Sequence, residues 1–201
     1  TERLMIHIGQ RMRWARGMIQ IFRTDNPLLG RGLSFGQRIC YLNAMMYFLF
    51  PVPRFVFLTA PVAYLVTSQN IIVASALMVM AYAGPHLFHT LATQSRLDGR
   101  YRYSFWGEIY DNVLLFHIMG PTLLALINPK AGSFNVTSKG GVLEKELYDT
   151  PIMRPLMILA VVLMAAIGVG FYRLLFTELF PGDAPVLWMN LFWCFYSAFT
   201  V

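Results

Sequence analysis

Gln10, Arg13 and Trp14 stand at i, i+3 and i+4 in a stretch, Leu4 to Arg23, that reads as one helix. That spacing puts an amide, a guanidinium and an indole on one face, within reach of each other. An Arg presents a fixed fork to phosphate oxygens. A Trp offers a flat apolar platform and a single N–H donor. Such a face can hold an anionic donor and a ring-shaped acceptor side by side. The same pattern also fits an amphipathic helix anchored by a Trp at a membrane surface, and spacing alone leaves both readings open.

A second group lies far along the chain, in Phe134-Asn135-Val136-Thr137-Ser138-Lys139-Gly140-Gly141. Thr137 and Lys139 supply a hydroxyl and a cation two residues apart. The two glycines after them allow backbone N–H groups to approach a phosphate. By itself this is either an anion site or an ordinary loop. His86 and His89 are three apart, but no carboxylate or thiol stands with them, so they read as structural or interfacial residues and no metal site is predicted.

The elements that must position these groups follow from composition. Of 201 residues, 57% are apolar and 13% charged, about half the charged share of a soluble domain. Mean hydropathy is +0.53. The chain is an all-α membrane protein by this pattern. The net charge of +6 comes from basic residues in short segments beside apolar runs, which fits membrane topology and not nucleic acid. Cys40 and Cys194 lie in apolar segments and read as core thiols. Both ends fall inside element-like patterns, so the chain reads as a piece of a longer protein.

In order, residues 1–38 form an interfacial helix and a basic linker. The helix carries too many arginines for a span centre and lies in the interface. Asn26-Pro27 ends it. Residues 39–92 hold two spans: Ile39–Val66, kinked at Pro51 and Pro53, and Ile71 to about Leu91. Residues 93–128 hold a second interfacial helix, because the clean apolar part Val113–Ile127 is short of the roughly 20 residues a crossing needs. Residues 129–150 are a long polar loop, and loops of that length are usually functional or disordered. Residues 151–201 hold two further spans, Leu156–Phe176 with Arg173 free to snorkel outward, and Pro185 onward. About four transmembrane helices and two amphipathic interfacial helices result. Charge supports this count. Residues 1–38 and 93–154 each hold seven basic residues, while the connections 67–70 and 177–185 hold none. Four crossings put both basic blocks on the cytoplasmic side.

Polar groups inside such a membrane portion are functional candidates. Asn43 and Arg54 in the first span and Glu108 in the second interfacial helix could line a channel. Tyr64 and Trp188 could stack there, or be belt and core aromatics.

Gln10-Arg11-Met12-Arg13-Trp14 resembles the Q-x-x-R-W motif of processive family 2 glycosyltransferases. Phe134 to Gly141 resembles the F-x-V-T-x-K-G-G gating loop of bacterial cellulose synthase catalytic subunits. Residues 14–23 and 41–48 are similar to that family as well, and the resemblance covers essentially the whole chain. It implies a UDP-glucose-dependent, inverting, processive synthesis of β-1,4-glucan (cellulose), with the chain moved across the bacterial inner membrane. Arg13 would meet the donor diphosphate, Trp14 would stack under the acceptor glucose, and Gln10 would help position it. Phe134, Val136, Thr137 and Lys139 would belong to a loop closing over UDP and its Mg²⁺. Asn43, Arg54, Tyr64, Glu108 and Trp188 would line the glucan channel. The resemblance also implies partners: a glycosyltransferase domain, a cyclic-di-GMP-binding domain and a periplasmic membrane-anchored subunit. The family's UDP- and metal-binding aspartates and its general base are not in these residues. Thr1-Glu2-Arg3 is not its Thr-Glu-Asp motif, since the third residue is Arg. No catalytic residue is therefore assigned within the chain. Chitin, hyaluronan or β-1,3-glucan synthases share Q-x-x-R-W and stay open as alternatives, as does a non-catalytic membrane scaffold or transporter.

Overall fold

The structure is a computed structural model that describes residues 4–69, 75–99, 101, 103–131, 150–178 and 182–201. Among the described residues it has seven helices and no strand: α1 (Leu4–Thr24), α2 (Phe35–Tyr47), α3 (Pro51–Thr67), α4 (Ala76–Asp98), α5 (Ser104–Ile127), α6 (Thr150–Phe176) and α7 (Asp183–Thr200). The all-α expectation holds. The chain divides into two units, Thr1–Phe55 with Val113–Arg154, and Val56–Asn112 with Pro155–Val201.

Local sequence explains most helix ends. Asn26 Oδ1 accepts from the Leu28 amide at 3.0 Å, a side-chain turn that stops α1. Arg38, in the first turn of α2, then binds the linker. It donates to the carbonyls of Leu33 at 3.3 Å, Gly30 at 2.7 Å, and Leu28. Ser34 and Gln37 form a capping box at the start of α2, satisfying two otherwise orphaned donors. Phe48 to Phe50 break the helix, and α2 and α3 meet at 49°. Pro51 opens α3, where its missing N–H has no partner to lose. Thr150 begins α6, ahead of the apolar run at Leu156, because Pro151 is tolerated in a first turn for the same reason.

In the first unit Ile8, Ala15, Phe48, Leu114, Ile118 and Ile152 form the core. In the second unit α6 packs closely on α3 and α7 at Gly170. A Cβ there would lie 2.6 Å from Leu191 Cδ2 and 2.9 Å from Leu65 Cδ2.

Length and apolarity qualify Phe105–Ile127 and Thr150–Phe176 to cross a membrane, and α2 with α3 as a third if the bent pair is one span. The first of these is the helix that the sequence sets in the interface. Its apolar part continues without a break from the segment holding Glu108, Asp111 and Asn112, so the helix is 24 residues long. Shortness therefore no longer argues against a crossing by α5. Residues 70–74, at the start of the expected second span, lie outside the described residues.

Candidate functional site

The site is built on α1, a 21-residue helix whose buried side is Ile8, Ala15 and Ile19. Those residues recur at helical spacing and pack on the first unit's core, which turns the opposite side outward. Trp14 is 49% exposed, and Gln10 and Arg13 are half-buried. The three share one face, as their spacing requires. The Arg13 side chain runs back along the helix, since a Cβ at Gly9 would sit 3.9 Å from its Nη1.

Arg11 lies over the Trp14 ring, its Cζ 5.2 Å from the centroid. A cation at that distance is attracted to the ring face and braces the indole. The i, i+3 spacing of Arg11 and Trp14 already permits this pair in the sequence. His7, one turn before Arg11, is held below the ordinary 6.5 by burial and by the Arg11 charge, so the ring favours its neutral form.

A groove of about 530 Å³ opens beside this face, lined by Arg13, Trp14, Gly17, Met18, Ile21 and Phe48. Its walls are almost wholly apolar, with the Arg13 guanidinium as the charged group among the lining residues. An apolar cleft with one cation at its edge and an exposed indole suits the C–H face of a sugar beside an anionic group.

Asn43 is exposed on α2, and Arg54 is half-buried in the first turn of α3; both belong to the first unit. Tyr64, Glu108 and Trp188 belong to the second. Trp188 is 53% exposed and meets Phe171 edge-on at 6.5 Å. Glu108 is half-buried. Tyr64 is only 5% exposed, and the Arg173 guanidinium lies 5.4 Å from its ring centroid. A sugar could stack on Tyr64 only if that guanidinium moved aside. Arg173 itself does not snorkel outward. It turns inward and donates to the carbonyls of Tyr64 and Leu65 at 3.0 and 3.1 Å. The Tyr64 carbonyl also accepts from the Ser68 amide at 2.9 Å, so Arg173 adds a second donor there, and carbonyls in the last turn of a helix draw a cation.

Phe134, Val136, Thr137 and Lys139 lie outside the described residues. His86 and His89 are exposed, and His89 Nδ1 pairs with Thr93 Oγ1 at 3.3 Å. Among the described residues no three His, Cys, Asp or Glu side chains gather as a metal site.

An all-helical fold with apolar helices of crossing length defines an integral membrane protein of the α class. The sequence model described as "Cellulose synthase" matches residues 2–198, and the chain belongs to that family. It is 52% identical over 197 residues to the cellulose synthase catalytic subunit [UDP-forming] of Pseudomonas fluorescens, covering 98% of this chain and 26% of that protein. It is 49% identical over 193 residues to the cellulose synthase 1 catalytic subunit [UDP-forming] of Komagataeibacter xylinus, covering 96% and 26%. Cellulose synthase 2 of Novacetimonas hansenii is 55% identical over 172 residues, covering 85% and 11%. The chain thus spans about a quarter or less of the length of these relatives.

Proposed function

We propose that this chain forms the membrane portion and active-site floor of a processive, inverting glycosyltransferase that makes β-1,4-glucan from UDP-glucose. The observation that carries the reading is the Gln10, Arg13 and Trp14 face, with Trp14 exposed and Arg13 and Trp14 lining an apolar groove, in a cellulose synthase family chain.

In the reaction the 4-hydroxyl oxygen of the glucan end attacks C1 of the donor glucose. The C1–O bond to UDP breaks, UDP leaves with the electron pair, and the hydroxyl proton passes to a base outside this chain. Arg13 offsets charge growing on the leaving diphosphate. Trp14 stacks under the acceptor sugar and Gln10 orients it by hydrogen bonding, so the hydroxyl starts near its target. Thr137, Lys139, Phe134 and Val136 belong to a loop that covers UDP and excludes water, favouring transfer over hydrolysis. The described residues do not fit a metal. The Mg²⁺ expected with UDP would be held by the parent enzyme's other domain, and no step here runs through it.

Asn43, Arg54, Glu108 and Trp188 are the channel candidates in best accord with their exposure; Tyr64 is the weakest. On this reading the protein sits in the bacterial inner membrane, with α1 and the 129–150 loop on the cytoplasmic side. Its partners are the glycosyltransferase and cyclic-di-GMP-binding domains of the same chain and a periplasmic subunit.

The test uses inverted vesicles holding the full-length parent enzyme and labelled UDP-glucose. Insoluble product destroyed by cellulase supports the reading, and chitin-, hyaluronan- or β-1,3-glucan-type product sinks it. Trp14→Ala should abolish polymer, and Arg13→Ala should raise KM for the donor. Wild-type output from Trp14→Ala would show that the platform assignment is wrong and would favour a scaffold.

A further inference from the structure

Residues 25–34, between α1 and α2, form no helix, yet much of their backbone is paired within the chain. The carbonyls of Asn26 and Pro27 accept from the amides of Leu29 and Gly30 at 3.0 and 3.3 Å. The Arg38 side chain donates to the carbonyls of Leu28, Gly30 and Leu33, the last two at 2.7 and 3.3 Å. Its amide donates to the Ser34 carbonyl at 3.1 Å. Three carbonyls on one guanidinium fold the segment around a single point, with that charge turned inward. In open water such pairing adds little, because solvent satisfies free carbonyls. Where water is scarce an unpaired backbone group is costly, so internal pairing suits a segment lying in the headgroup layer of a bilayer.

The side chains agree with that setting. Leu29 is 84% exposed, and Phe35, the first residue of α2, is 79% exposed. Arg31, between them in the chain, is exposed as well. Because Arg38 gathers the carbonyls on both sides of Leu29 and Arg31, these side chains leave one compact turn. Exposed Leu and Phe beside a cation is the chemistry of an interfacial segment, with apolar groups in the acyl boundary and the cation among lipid phosphates.

Placement and charge agree too. α2 and α3 together qualify as a bent span, so Phe35 stands at the end of a candidate crossing, where the bilayer surface lies. From residue 23 to 38 the chain holds Arg23, Arg31 and Arg38 against a single acid, Asp25. The segment therefore attracts an anionic surface.

We propose that segment 25–35 is a membrane anchor in which Leu29 and Phe35 enter the acyl boundary and Arg31 binds the phosphate of an anionic phospholipid. Arg38 has a separate task, holding the fold of the anchor. The anchor directly follows the helix that carries Arg13 and Trp14, and it depends on no assignment of substrate.

The test uses the full-length enzyme in vesicles of equal parts phosphatidylcholine and phosphatidylglycerol, with photoreactive benzoylphenylalanine at position 29 or 35. Illumination should attach lipid at both positions, read by mass spectrometry of the labelled peptides. Phosphatidylglycerol adducts should outnumber phosphatidylcholine adducts about two- to five-fold, the effect of one cation close to the surface. Arg31→Gln should bring the ratio to parity, and Arg31→Lys should keep most of the preference. Adducts to other parts of the polypeptide would show that protein covers the segment, and the absence of any adduct would place it in water; either result overturns the proposal. Parity before substitution, or a preference unmoved by Arg31→Gln, overturns the phosphate assignment. Position 29 lies outside any helix, so it carries the test should the position 35 variant fail to accumulate.

Discussion

Arg173 Nη1 in α6 donates to the Tyr64 carbonyl in α3 at 3.0 Å. The same nitrogen reaches the Leu65 carbonyl at 3.1 Å, and the guanidinium lies over the Tyr64 ring. One side chain from another helix thus does for α3 what a C-terminal cap does locally. Arg173→Leu should lower stability by about 2 kcal/mol, the scale of hydrogen bonds to a charged group. Arg173→Lys keeps the charge but not the fork and should lose less. Thermal unfolding of the purified protein in detergent checks both.

Gly170 lies where α6 meets Leu65 and Leu191, both fully or almost fully buried. Gly170→Ala places a methyl 2.6 Å from one leucine and 2.9 Å from the other. Both must repack, at about 1–3 kcal/mol. Leu191→Val in the same chain should recover part of the loss, and a double-mutant cycle measures the coupling.

Asn112 is fully buried, and its Nδ2 donates to the Thr200 carbonyl in α7 at 2.9 Å. Asn112→Leu should cost about 1–3 kcal/mol, because it strands a buried carbonyl. Asn112→Asp should be worse, since it turns the donor into an acceptor facing an acceptor. Denaturation midpoints of the two variants rank them. The opposite order would mean that the Thr200 carbonyl has another partner.

His7 has a folded pKa below 6.5, set first by burial and then by Arg11. Between the folded value and 6.5 the unfolded chain binds more protons than the folded one. Stability therefore rises with pH across that window. It is complete above 6.5 and lost as pH falls through it. His7→Gln should flatten this acid limb in a melting-temperature profile from pH 5 to 7.5, and Arg11→Gln should shrink it. An unchanged limb in His7→Gln would assign the pH dependence elsewhere.

Much of the chain's local order was legible in its sequence. Apolar spacing outlines α1, Asn26 and Pro27 mark its end, and Pro51 marks the break between α2 and α3. These signals are readable because each acts within a turn or two of its own residue. The span pattern was legible only in part. α5 carries its charged residues, Glu108 and Asp111, in its first third, and a window over the apolar remainder underestimates a helix whose backbone bonds run straight through them. The inward turn of Arg173 was not legible because the carbonyls it meets belong to another helix.

The sequence by itself determined which side chains share the α1 face, since a helical period leaves Gln10, Arg13 and Trp14 no other arrangement. It also determined the membrane class, because so few charges in so many apolar residues cannot clothe a soluble surface. Tertiary structure alone decided which carbonyl each long-range donor meets. Gln20 finds Pro129 across 109 residues, His117 finds Ile152 across 35, and Asn112 finds Thr200 across 88. A residue type announces that a donor exists. Only the packing of one helix against another brings a particular acceptor within about 3 Å of it.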